Sequence, residues 1–169
     1  NNTAPATNNT PATNNAPTIS VTANDFREDS GNNVGDTVAS YSTDDVEDGA
    51  NAASVTVNWT SGSSPTDGSG NALYSLDTTN RKVTLTDAGL DYLNAGNDLP
   101  AVALTATDSS SATGTGSDDP NVTEANDAPT ITLGSKSGTF TQGGANLNIG
   151  GTVTVADSET PDAYNSVQV

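Results

Sequence analysis

One short phrase occurs twice in this chain and sets the scale of anything it can fold into. Asn14-Asn15-Ala16-Pro17-Thr18-Ile19-Ser20 returns as Asn126-Asp127-Ala128-Pro129-Thr130-Ile131-Thr132, 112 residues further on. The same offset carries Asp45 onto Asp157, Glu47 onto Glu159, Ser54 onto Ser166, Val55 onto Val167 and Val57 onto Val169. Matches held in one register over that distance mean a tandem repeat, so each unit has to close its own core within that length. In 169 residues one unit, 17–128, is followed by the early part of a second, 129–169. Residues 1–16 cycle through Asn, Thr, Ala and Pro without a core-forming side chain, which is linker composition.

Within the first unit, apolar residues alternate with Thr and Ser in short runs bounded by Gly, Asn, Asp and Ser. This pattern predicts strands at Ile19 to Thr22, Val34 to Tyr41, Val55 to Trp59, Leu73 to Leu76, Val83 to Thr86 and Ala101 to Thr107, with a last one between Ser111 and Val122. Asp77-Thr78-Thr79-Asn80 reads as a hairpin turn, started by Asp77 and with Asn80 at positive φ. Asp87 to Gly96 reads as a brief helix capped by Asp87. Trp59, at the end of an alternating run, belongs in the core or at its rim. Asp67-Gly68-Ser69-Gly70-Asn71 is a Gly-rich hairpin before it is a cation loop. Seven strands and no long helix predict an all-β, immunoglobulin-like β-sandwich in tandem, the second copy incomplete.

Composition removes most chemistry. Without Cys or His there are no disulfides, thiol nucleophiles, His-based acid–base pairs or Ser-His-Asp triads, so an enzyme is not expected. A net charge of −17 with only four Lys plus Arg leaves no patch to neutralise phosphates, which argues against nucleic acid and anionic membranes as partners. No apolar run approaches the roughly 18 residues of a spanning helix. The chain opens on Asn and reads as a piece of something longer, any address signal lying outside it. Of its 21 acids only Glu28, Glu47, Glu124 and Glu159 are Glu. A bias to Asp suits turns and oxygen-ligand sites for hard cations, and calcium is the favoured reading.

Glu28-Asp29-Ser30-Gly31, Asp44-Asp45-Val46-Glu47-Asp48-Gly49, Leu90-Asp91-Tyr92, Ala106-Thr107-Asp108 and Asn126-Asp127-Ala128-Pro129 together resemble a cadherin-like repeat. The run from Leu85 through Gly96 to Leu99-Pro100 is similar, more narrowly, to the tandem repeats of giant bacterial surface adhesins exported by type I secretion. That resemblance implies an extracellular module at a bacterial cell surface, with neighbouring repeats of the same chain as partners and calcium bound at the Asn-Asp-rich junctions. One departure is visible: where cadherins carry a Glu two residues after the Asp matched by Asp91, this chain has Leu93. Matching Phe140 to Phe26 with a two-residue shift also puts Gln142 in the place of Glu28. Fewer ions than in a cadherin are expected.

Calcium takes 6 to 8 oxygens, so acids from several segments must converge, and a junction between sandwiches supplies that convergence. Glu28, Asp91, Glu124, Asn126 and Asp127 are the expected donors from one side, Asp157 and Glu159 from the other. Asp44, Asp45 and Glu47, with Asn14 and Asn15, serve the junction before Pro17, where the linker stands in for a preceding domain and leaves the site half-built. The function that follows is a calcium-stiffened structural extender. Two alternatives stay open: a filament subunit completed by strands from identical chains, and an adhesive module that binds sugar or peptide.

Overall fold

Alternation of branched apolar residues with Thr, Ser and Gly gives strands with one buried face, and two such faces meet here. The computed structural model describes residues 13–126, 128, 130–134, 142 and 153–156, in two compact units, 1–123 and 124–169. The first unit contains β1 (Thr18–Ala23), β2 (Phe26–Arg27), β3 (Thr37–Asp44), β4 (Thr56–Trp59), β5 (Tyr74–Asp77), β6 (Lys82–Leu85), α1 (Asp87–Asn94), β7 (Val102–Thr107), β8 (Thr113–Asp118) and β9 (Val122–Thr123). One sheet has the antiparallel order β1-β3-β6-β5 and the other β4-β7-β8. Seven strands in two sheets make the all-β sandwich that the sequence predicts. A parallel pair, β2 with β9, adds to them: the chain leaves the first sheet after Ala23, and Phe26 and Arg27 align with Val122 and Thr123.

Val38, Ala39, Tyr74, Val83 and Leu85 from one sheet and Val57, Val102, Leu104 and Ala106 from the other fill the space between, with Leu73, Leu93 and Leu99 closing it. Val38 and Ala39 are consecutive yet both fully buried, because the β3 register slips between Thr37 and Ala39. A bulge there turns two successive side chains inward. It also accounts for a misplaced boundary: the strand predicted at Val34 to Tyr41 begins at Thr37 and runs on to Asp44. Residues 33–36 form a turn instead, in which the Asn33 amide donates to the Asp36 carboxylate at 2.7 Å. Trp59 is partly buried and stacks on Tyr74, ring centroids 6.3 Å apart, while the Tyr74 hydroxyl donates to the Pro100 carbonyl at 2.7 Å.

Two local expectations are corrected. Thr86, not Asp87, is the N-cap of α1; its hydroxyl accepts from the Gly89 amide at 3.0 Å, the usual job of a β-region Ser or Thr at that place. In the β5–β6 hairpin Asp77 does start the turn, accepting from the amides of Thr79 and Asn80, but Arg81, not Asn80, has the positive φ, +53°.

The two long sides of the sandwich differ. On one, β8 lies so close to β1 that a Cβ on Gly114 would stand 1.9 Å from the Pro17 carbonyl oxygen, and one on Gly116 would stand 2.5 Å from that of Ile19. On the other, β4 and β5 are the margins of their sheets, unpaired among the described residues. In the second unit β10 (Thr130–Leu133) pairs antiparallel with β11 (Val153–Ala156), Thr130 opposite Ala156 and Leu133 opposite Val153. Shifted by 112 residues, this register reproduces that of β1 on β3, where Thr18 faces Asp44 and Val21 faces Tyr41.

Candidate functional site

At the pole where β1 begins, the end of β3, the β7–β8 turn and residues 14–16 come together around carboxylates. Asp45, the first residue after β3, is only 4 % exposed. Its Oδ1 accepts from the amides of Glu47 at 2.9 Å and Asp48 at 3.0 Å, while its Oδ2 is buried without a hydrogen bond among the described residues. A buried carboxylate oxygen left bare is costly unless a cation or water meets it. Asp108, 6 % exposed, closes the β7–β8 turn: its Oδ1 accepts from Ser110 and Ala112, both at 2.8 Å, and the Asn14 side chain donates to its Oδ2 at 2.7 Å. The Asn15 side chain donates to Glu47 Oε1 at 2.6 Å. Asp44 and Glu47 are exposed. Asn14 and Asn15, which the sequence assigns to a linker, are thus bonded to this pole; residues 1–12 lie outside the described residues.

Asp45, Glu47 and Asp108 offer carboxylate oxygens, the kind a hard cation takes, and Asp45 Oδ2 is the one left without a hydrogen bond among the described residues. Among the described residues, however, no three acidic side chains converge as a closed metal site requires. The pole therefore fits calcium in kind and is short in number. Asp108 was missing from the sequence-derived ligands although Ala106-Thr107-Asp108 lies within the resemblance; alternation carries that triplet out of a buried strand, and only the fold shows Asp108 still buried beyond its end.

At the opposite pole Glu28 is 2 % exposed, with its Oε1 beside Gly96 just past the end of α1. Asp91 is exposed on α1 and borders a shallow hollow of about 580 Å³ that also touches Asp67 and Asp87. Leu93, in place of the resembled Glu, is fully buried in the core. Glu124 and Asn126 are exposed in the second unit. Asp127, Asp157, Glu159 and Phe140 lie outside the described residues; Gln142 is an exposed turn residue.

Much of the Asp bias has a use other than metal. Asp67 accepts from the amides of Ser69 and Asn71 and from the Asn71 side chain, Asp77 from Thr79, Asn80 and the Asn80 side chain, and Asp108 in the same manner. A side chain one methylene shorter than Glu reaches its own turn, which Glu does not. The Asp67 loop is the hairpin turn that the sequence favours, with Thr66 bridged to Ala72. Donation from Asn71, Asn80 and Asn14 respectively, then from backbone amides, holds the three carboxyls below the ordinary range.

Their stabilisation is present above the unfolded value near pH 4 and is lost as pH falls through the lower folded values. The thermal midpoint difference between wild type and Asp67→Asn should therefore be widest near pH 7 and shrink as pH falls below the unfolded value near 4. Taking the difference cancels the general relief of repulsion in a chain of net charge −17. A gap that widens on acidification would contradict the assignment.

No family model and no curated protein matches this sequence. The fold is that of a cadherin-like domain. Its likeness extends to the extracellular cadherin domains 1–4 of protocadherin gamma B7, at TM-score 0.53 and 18% identity over 86% of this chain, and to domains 1–5 of protocadherin gamma B2, at TM-score 0.51 and 16% identity over 82%. The chain spans about a third and a quarter of the lengths of those two structures, 34% and 25%.

Proposed function

We propose that the chain is a structural extender from an extracellular adhesin of a bacterial cell surface, non-enzymatic, in which calcium stiffens the junctions between successive repeats. The observation that carries this is the Asn14 pole, where Asp45 keeps a buried bare oxygen next to the point at which the chain enters the sandwich. Asp44, Asp45, Glu47 and Asp108, with the side-chain carbonyls of Asn14 and Asn15, would hold an ion there. Glu28, Asp91, Glu124, Asn126 and Asp127 would do so at the other end, with Asp157 and Glu159 contributed by the following repeat. A divalent ion changes mutual repulsion of these acids into attraction and so fixes an angle that repulsion alone leaves free. The reading as tandem copies is supported by the recurrence of the β1–β3 register in β10–β11.

Extracellular modules bind calcium with Kd of about 10⁻⁴ to 10⁻³ M. Raising calcium from a chelated state to about 10 mM should then add about 1.4 to 2.7 kcal/mol, or a midpoint rise of about 6 to 20 degrees. Asp45→Asn keeps an oxygen for the Glu47 and Asp48 amides and removes the charge, so it should remove most of that rise while leaving the chelated midpoint nearly in place. An unchanged wild-type midpoint would sink the metal reading.

A further inference from the structure

On the side away from the glycine seam the sandwich is open, and a groove of about 530 Å³ runs along β4. One wall is β4 itself, including Thr56, Val57 and Asn58; the other is formed by Tyr41 of β3 and by Thr78 and Arg81 of the β5–β6 hairpin. Among the described residues β4 pairs only with β7, which leaves its second edge unused by them. The Thr60 amide donates to Ala103 across that ladder, so by alternation the N–H groups of Val57 and Trp59 point to the free edge. A short exposed margin of this kind is a template for another strand.

The groove lining also differs in charge from the rest of the chain. In a molecule of net charge −17 its lining, among the described residues, contains no acid and one cation, Arg81. Among the described residues the Arg81 guanidinium makes one long hydrogen bond, 3.5 Å to the Asn51 carbonyl, which leaves most of its donors for a ligand. Arg81 also sits at φ +53°, a conformation better suited to Gly or Asn. Tyr41, 8 % exposed, lines the same groove, and its hydroxyl has no hydrogen-bond partner among the described residues.

We infer that this groove takes an extended peptide segment of a partner, added as a strand to the free edge of β4, with a carboxylate of that segment paired to Arg81. Small apolar side chains of the segment would face Ala52 and Val55, and polar ones would face solvent, since neighbours on a strand alternate. The inference goes beyond the extender reading and shares no residue with the acidic pole, so either can fail alone. With only four residues in β4 the contact is small and the affinity weak.

The test titrates the 169-residue chain with a blocked seven-residue peptide that alternates valine and threonine around a central aspartate, following the amide resonances of Val57 and Trp59. Replacing the central aspartate by lysine should weaken binding roughly ten- to hundred-fold, the loss of a charge-assisted pair. Proline on either side of the centre should abolish it, because backbone donors are removed. Arg81→Gly should weaken the aspartate peptide by a similar factor while the midpoint stays or rises, since Gly relieves the positive φ. Thr78→Glu, exposed on the same wall, should act in the same direction while leaving Arg81 and its positive φ in place. Equal binding of the lysine or proline peptide, unmoved Val57 and Trp59 amides at millimolar-order peptide, or shifts of those amides by a uronic-acid oligosaccharide but not by the peptide, would each overturn the assignment.

Discussion

Gly114→Ala should lower the thermal midpoint of the first unit by more than about ten degrees, the largest effect expected from one added methyl group in this molecule. The new Cβ would have to occupy a point 1.9 Å from the Pro17 carbonyl oxygen, and that contact is backbone, so no side chain can swing aside. Strand β1 would have to lift from β8 while still pairing with β3 on its other edge. Overpacking of this type costs about 3 kcal/mol. In a unit of this size each kcal/mol moves the midpoint by about 4 to 8 degrees. Gly68→Ala is the matched control: nothing lies within 4 Å of its added Cβ, and its midpoint should stay within about 2 degrees of wild type. A Gly114→Ala protein as stable as the control would mean that the seam is not closed as described.

Leu93→Glu restores the acid that the resembled repeats place two residues after Asp91, and it should abolish cooperative unfolding instead of adding a ligand. Residues two apart on a helix point about 200° away from each other, so with Asp91 exposed on α1 position 93 is turned into the core. A carboxylate there has no partner and has to be buried or pull the helix off; the cost is about 4 kcal/mol or more. Leu93→Met should cost less than about 1.5 kcal/mol, which separates buried charge from altered shape. Calcium should not restore the transition. A Leu93→Glu protein that unfolds normally and gains calcium-dependent stability would show that the end of α1 is remade around a metal, contrary to this packing.

The contrast between what residues announce and what they conceal follows from the range of the interactions. Strands β1 and β7 were legible because Ile19, Val21, Val102, Leu104 and Ala106 repeat every second residue, a property of the strand itself. β2 was not, since Phe26-Arg27 is too short for any period and exists only because β9 lies beside it. The β3 boundary moved because a bulge breaks the alternation on which it was read. At the acidic pole Asp45 and Glu47 were found through their recurrence at 157 and 159, whereas Asp108 was absent from the expected set: its burial depends on where the β7–β8 turn lands. The abundance of Asp carried two meanings, and the sequence alone weighted the metal one. The turns of Asp67 and Asp77 show carboxylates whose oxygens are already taken by their own backbones.

The parallel pairing of β2 with β9 has a mechanical meaning. The chain enters the first unit at the Asn14 end, whereas β9, the last strand before it leaves, lies alongside β2 near the other end. Tension between neighbours in a string of such units would pull β1 along β3, and β9 along β2, lengthwise. Their hydrogen bonds would be loaded together in shear and not opened one after another from an end. In the proposed string of repeats a unit wired in this way would resist stretching through these shear-loaded bonds and would yield by losing its terminal strands together.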